Sequence, residues 1–158
     1  MLKLEVNIDN QQLVVSDNHK VIKTYQVSTA KNGVGEIFGS EQTPRGKHII
    51  RAKIGANSPL NSVFVKRRPT GEIYDLSLRA SHPGRDWILT RILWLSGMEV
   101  GKNRLGNVDT MRRYIYIHGT PQDVDMTTPG SRGCIRMQND DLIELFDLIP
   151  VGTPITIK

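Results

Sequence analysis

The sequence predicts a mainly β fold, a sandwich or barrel-like sheet of many short strands with one clear helix packed on it. Short alternating or β-branched runs recur along most of the chain, separated by turn residues. One segment near the C-terminus has helical spacing with start and stop signals. No repeat, low-complexity tract or linker divides the 158 residues, so residues 1–158 read as a single domain able to bury a real core.

The first strands are Leu2–Ile8, Gln12–Ser16 and Val21–Ser28, joined by turns at Asp9-Asn10 and Asp17-Asn18. Residues 31–47 form a glycine-rich loop whose spacing matches neither GxGxxG nor a Walker motif, which excludes a nucleotide site there. His48–Ile54, Ser62–Val65 and Glu72–Leu78 are predicted as further strands. Trp87–Leu95, an apolar run broken by Thr90-Arg91, reads as a buried strand, and Tyr114–His118 alternates. Asn139 is expected to cap a helix. Asp140 and Asp141 suit its positive end, and Leu142, Leu145, Phe146 and Ile149 form one apolar stripe. Pro150 stops the helix and Ile155–Ile157 is the last strand.

Bulk properties exclude several classes. A single cysteine rules out a disulfide framework and paired CxxC zinc sites, and nothing implies a metal or organic cofactor. No apolar run reaches the roughly 18 residues of a membrane span. The net charge of +5 suits an anionic partner and is also ordinary for solubility. Aromatics are only 6% and no Lys/Arg-aromatic stripe exists, which argues against nucleic acid. Met1 runs straight into a strand with no apolar leader. The expected location is therefore cytoplasmic, the alternative being the periplasm or cell wall if a leader has been removed.

The chemistry concentrates in His118-Gly119-Thr120 and Ser131-Arg132-Gly133-Cys134-Ile135-Arg136-Met137. Thiol catalysis needs a sulfur, a base and backbone N–H groups for the oxyanion. Cys134 is the candidate nucleophile and His118 the candidate base. Gly133 lets backbone approach a ligand, so the N–H groups of Gly133 and Cys134 are the candidate oxyanion donors. Arg132 and Arg136 flank the thiol and are expected to favour thiolate. Arg136 could grip a substrate carboxylate or pair with Asp140 or Asp141. Ser131 could bond within the turn or near the thiol. Tyr116 shares a strand face with His118, lining the site or facing the core. His19, His48 and His82 are rival bases, and Asp123 and Asp125 are carboxylates able to orient the imidazole. His precedes Cys, the reverse of the papain order.

These motifs resemble the L,D-transpeptidase catalytic domain of the YkuD type. Thr43-Pro44-Arg45-Gly46 is similar to that family's Thr-Pro-x-Gly turn, and Val151-Gly152-Thr153-Pro154-Ile155 to its closing strand. Many members have His where this chain has Arg132. The resemblance implies the YkuD-type fold and the Gly119 carbonyl as the group orienting His118. It also implies thioester chemistry on peptidoglycan stem peptides, and acylation of Cys134 by β-lactams, carbapenems above all. Water as acceptor would make an L,D-carboxypeptidase trimming soluble muropeptides in recycling, which the missing leader favours. An amine acceptor would make an exported L,D-transpeptidase forming 3→3 crosslinks. A non-catalytic peptidoglycan-binding module is the alternative of another class.

Overall fold

The computed structural model describes residues 1–158. The first strands are β1 (Leu2–Asn7), β2 (Gln12–Asp17), β3 (Lys20–Ser28) and β4 (Gly46–Ile54). Next come the hairpin strands β5 (Ser62–Val65) and β6 (Arg68–Ile73), then helix α1 (Leu76–Ser81). The remaining elements are β7 (Ile88–Gly97), β8 (Tyr116–Gly119), β9 (Ile135–Met137), α2 (Asn139–Leu148) and β10 (Pro154–Ile157).

Eight strands close a mixed barrel in the order β4-β10-β1-β2-β3-β9-β8-β7, and β7 returns to β4. Only β1–β10 and β8–β9 run parallel within this ring. The β5–β6 hairpin hangs from β7. Alternation drives the closure. Leu4 and Val6, Leu13 and Val15, and Ile155 and Ile157 are buried at every second position of their strands. Curling the sheet buries that face and leaves no exposed edge around the ring. Leu142, Leu145 and Phe146 of α2 join the same core, and the helix packs on β7 and β8. No helix is long and apolar enough to cross a membrane.

Two local expectations need correcting, and a third gains detail. Glu72–Leu78 is not a strand: β6 ends at Ile73 and a second helix, α1, begins at Leu76. The Asp75 carboxylate caps it by accepting the Leu78 N–H at 2.7 Å. Asn139 is not the cap of α2, because the cap position belongs to Gln138, whose side chain caps nothing. The Asn139 amide instead ties loops together beside the site. Finally, Thr90-Arg91 is more than a break in an apolar run. It is a bulge where the register of β7 against β8 shifts between Leu89 and Ile92. Thr90 adopts φ +76, costly for a β-branched residue.

His48 is a structural histidine. It is buried, with Nδ1 3.0 Å from the Gly46 carbonyl and Nε2 2.9 Å from Thr110 Oγ1. Burial pushes its pKa down to about 4 from the usual 6.5. The unfolded chain therefore binds a proton before the folded one does. His48 favours folding fully above about pH 6.5, and this contribution is lost as pH falls from 6.5 towards 4. The full effect is roughly 3 kcal/mol. Denaturant midpoints measured between pH 7.5 and 4 should fall steeply in the wild type and less so in His48→Gln.

Candidate active site

β8 and β9 build the site by lying parallel, with His118 opposite Arg136 and Gly119 opposite Met137. The turn before β9 carries Cys134. Its Ser131 bridges to Ala30 just beyond β3, and the Ser131 N–H donates to the Thr29 carbonyl at 2.9 Å. The buried Thr43 hydroxyl donates to the Gly133 carbonyl at 2.9 Å and accepts the Ala30 N–H at 3.0 Å. The Thr-Pro-Arg-Gly turn thus clamps the cysteine turn from the far side of the loop. Gly133 adopts φ +131, and a Cβ there would press on Ile115 Cδ1 at 3.1 Å. Only glycine fits both demands.

A cavity of about 510 Å³ gathers the candidate groups. Cys134, His118, Tyr116, Ser131 and Arg132 all line it, with Asp86 and Arg67 on its other walls. His118 is buried, and its Nδ1 lies 2.6 Å from the Gly119 carbonyl. A carbonyl can only accept, so Nδ1 carries the proton and Nε2 keeps its lone pair. Burial lowers the His118 pKa. The Gly119 contact and the Asp86 charge act against that, while Arg136 adds to it.

The thiol is held just as firmly. Sγ donates to the Tyr114 carbonyl at 3.3 Å and accepts the Tyr116 N–H at 3.3 Å. Burial pushes its pKa up to about 12, and Asp86 works in the same direction. The Tyr116 N–H and Arg113 pull the other way. The resting thiol is therefore protonated. Arg132 and Arg136 were expected to favour thiolate, and this expectation is corrected. Arg132 is exposed, Arg136 lines the neighbouring cavity, and the cation acting on sulfur is Arg113. Arg113 is fixed by the carbonyls of Gly35 and Gln42 at 3.2 and 2.6 Å.

The other expected residues sort cleanly. Ser131 bonds within the turn: its hydroxyl donates to the Cys134 carbonyl and accepts the Gly133 N–H at 3.1 Å. The Gly133 amide is thus engaged at rest, while the Cys134 N–H has no partner in the protein and stays open for an oxyanion. Tyr116 is buried and also lines the cavity, its hydroxyl accepting from Arg67 Nη1 at 2.9 Å. Arg136 forms no ion pair with Asp140 or Asp141, and its Nη2 donates to Ser28 Oγ at 2.7 Å. Neither alternative carboxylate reaches His118. Asp123 pairs with Arg79 at 2.8 Å, and Asp125 accepts from Thr127 and Thr128. His19 sits in the exposed β2–β3 turn and His82 follows α1 on the surface, both away from the thiol cavity.

The YkuD model, described as the L,D-transpeptidase catalytic domain, matches residues 3–157. The chain belongs to this family. YkuD of Bacillus subtilis, named as an L,D-transpeptidase, is 28% identical over 155 residues, spanning 98% of this chain and 65% of its own length. YqjB of the same organism is 30% identical over 152 residues, spanning 96% of this chain and 68% of its own. The chain thus spans about two thirds of these relatives. Among solved structures, an L,D-transpeptidase from Mycobacterium smegmatis superposes with a TM-score of 0.63 at 21% identity, over 99% of this chain and 58% of that one. L,D-transpeptidase 3 from Mycobacterium tuberculosis, in complex with a faropenem-derived adduct, gives 0.57 at 14% identity, over 99% and 60%. These two likenesses establish the YkuD-type barrel.

Three groups of this YkuD-type site escaped the sequence reading. Arg113 and Asp86 belong to segments with no local motif, and only the fold brings them to the thiol. Arg67, at the tip of the β5–β6 hairpin, stacks on Tyr114 at 4.3 Å and Trp94 at 5.1 Å while bonding Tyr116. Asn139 carried the wrong role. Its Oδ1 accepts from Thr90 Oγ1 at 2.8 Å, and its Nδ2 donates to the Thr120 carbonyl and Asn61 Oδ1, both at 3.1 Å. It therefore fixes the strand end that carries His118 and Gly119.

Proposed function

We propose that this domain performs Cys134-dependent acyl transfer on peptidoglycan stem peptides, acting mainly as an L,D-carboxypeptidase on soluble muropeptides in the cytoplasm. The observation that carries the reading is one cavity lined by Cys134 and His118, with His118 Nδ1 bound to the Gly119 carbonyl. That bond leaves Nε2 unprotonated, the form able to take the thiol's proton once Sγ turns from the Tyr114 carbonyl. Family membership supplies the substrate class.

Sulfur attacks the carbonyl of the third stem residue as Nε2 takes the thiol proton. Burial opposes both the thiolate and the imidazolium, so the proton moves with the attack and no ion pair forms beforehand. The Cys134 N–H receives the developing oxyanion. The imidazolium then protonates the leaving amine of the terminal D-alanine, and a thioester remains. Water, deprotonated by the same Nε2, attacks that thioester, and the sulfur leaves and regains a proton. Because the imidazole resists protonation, the acid limb of kcat/KM should lie below pH 6.5.

Incubation with a disaccharide-tetrapeptide, followed by mass spectrometry, tests the proposal. The expected product is the tripeptide, formed by wild type and not by Cys134→Ala. A Cys134-dependent dimer as the main product would replace the carboxypeptidase with a transpeptidase. No change with either protein would favour a binding module.

A further inference from the structure

Two loops outside the thiol cavity, residues 35–42 before β4 and residues 98–107 after β7, form one continuous surface. The Phe38 N–H donates to the Asn107 carbonyl at 2.7 Å, and the Met98 N–H donates to the Lys47 carbonyl at 2.9 Å. Lys102 lies between the loops: its charge acts on Glu36, and a Cβ at Gly46 would stand 3.2 Å from its Cε. Ile37, Phe38, Val100 and Leu105 project from this surface, each between 51% and 70% exposed. A lone exposed apolar side chain is ordinary, but these share two touching loops and make a patch.

The loops are framed from behind. Arg113 donates to the Gly35 and Gln42 carbonyls at 3.2 and 2.6 Å, and Arg45 pairs with Glu36 at 3.1 Å. Buried Asn103 donates to the Arg45 and Lys47 carbonyls at 3.0 and 3.1 Å, and the Asp109 carboxylate accepts the Leu105 N–H at 2.7 Å. These bonds hold the apolar side chains outward, where folding gains nothing from them. The tips are also convex, since a Cβ added at Gly39, Gly101 or Gly106 would meet nothing within 4 Å. A peptide helix or strand docks in a groove or along a sheet edge, whereas protruding apolar tips suit a soft partner that they can enter.

Charge selects that partner. Lys47, Arg104 and Arg112 are exposed around the patch and form no ion pair, and Glu41 is the one exposed acid beside them in the same state. Glu36 is taken by Arg45, Glu99 faces Lys102 at 3.9 Å, and Asp109 is buried in backbone bonds. A second copy packed patch to patch would set these cations against one another. An anionic lipid surface satisfies both parts, with apolar tips at the acyl boundary and cations among the headgroups.

We propose that the Ile37-Phe38 and Val100–Leu105 tips dock this domain on an anionic lipid bilayer, with Lys47, Arg104 and Arg112 on the headgroups. The contact is peripheral and spans nothing. It goes beyond the acyl-transfer reading and does not depend on it.

Cosedimentation with lipid vesicles tests the proposal, using equal parts of phosphatidylglycerol and phosphatidylcholine against phosphatidylcholine alone. Wild type should bind the anionic vesicles about tenfold or more tightly than the neutral ones, and release them as salt rises from about 0.05 to 0.5 M. The pair Ile37→Ser and Phe38→Ser should weaken binding by about tenfold or more through lost apolar burial. The pair Arg104→Ser and Arg112→Ser should weaken it by a similar factor, about fivefold for each charge. Lys20→Ser, an exposed cation on β3, should change it by less than about twofold, which separates the patch from net charge. Every substituted side chain is exposed, so thermal midpoints should match wild type. No binding to anionic vesicles, equal binding to neutral ones, or binding indifferent to the Ile37 and Phe38 pair would each overturn the proposal. A wild-type dimer in analytical ultracentrifugation that the same pair dissolves would assign the patch to a second copy and overturn it too. None of these results touches turnover of soluble stems, so the acyl-transfer reading stands or falls separately.

Discussion

Replacing Cys134 with serine leaves the barrel folded and lowers acyl transfer by at least about 10³-fold. Space is not the obstacle. A hydroxyl can take the same two contacts, donating to the Tyr114 carbonyl and accepting the Tyr116 N–H. The proton is the obstacle. Burial already pushes the thiol up to about 12, and a hydroxyl holds its proton more tightly still. The imidazole that must take it has itself been made a weaker base by burial. His118→Ala should cost a similar factor for the complementary reason. The double variant should cost little more than either single one, because sulfur and imidazole act as a unit. Initial rates on a tetrapeptide muropeptide, with thermal unfolding as the control, measure both quantities. A Cys134→Ser protein retaining a tenth of the wild-type rate would contradict the assignment.

Gly119→Ala should damage stability and activity together. A Cβ at this position would stand well inside contact distance of Asn139 Oδ1 and 2.5 Å from the Leu89 carbonyl. Neither neighbour is free to yield. Leu89 is opposite Gly119 in the barrel ladder, and Asn139 is held by Thr90, Asn61 and Thr120. Relief must come from displacing β8, at a cost of about 3 kcal/mol. The same displacement moves the carbonyl that orients His118, and a shift of about an ångström is worth about 10² in rate. Denaturant midpoints and kcat/KM should therefore fall in parallel. A variant with wild-type stability would show that the strand end has slack the packing denies.

Local pattern made the candidate nucleophile and base, most strands and the α2 stripe legible in the sequence. Alternation marks the inward face of β1, β2 and β10, and Cys134 lies in a glycine turn that few structural roles require. What stayed hidden was set by distance along the chain. Closure through β4 and β7 pairs residues far apart in sequence, such as Ile49 with Ser96, and leaves no mark on either strand's own periodicity. Arg113 and Asp86 act on the thiol from segments distant along the chain, so the flanking arginines stood out instead. Asn139 matched a helix cap by position, but its amide bonds Thr90, Asn61 and Thr120 across the fold. Thr90-Arg91 was visible as an interruption, and its meaning as a strained bulge beside Gly119 needed the register.

The most direct test of the central claim is intact-mass spectrometry of the folded protein after incubation with a carbapenem, with peptide mapping of any adduct. Cys134 lies in an accessible cavity beside a neutral imidazole whose Nε2 is free. The predicted result is a single covalent adduct on Cys134, formed by wild type and absent from Cys134→Ser. An unmodified wild type after long incubation, or an adduct that persists in Cys134→Ser, would contradict an acylable thiol at this site.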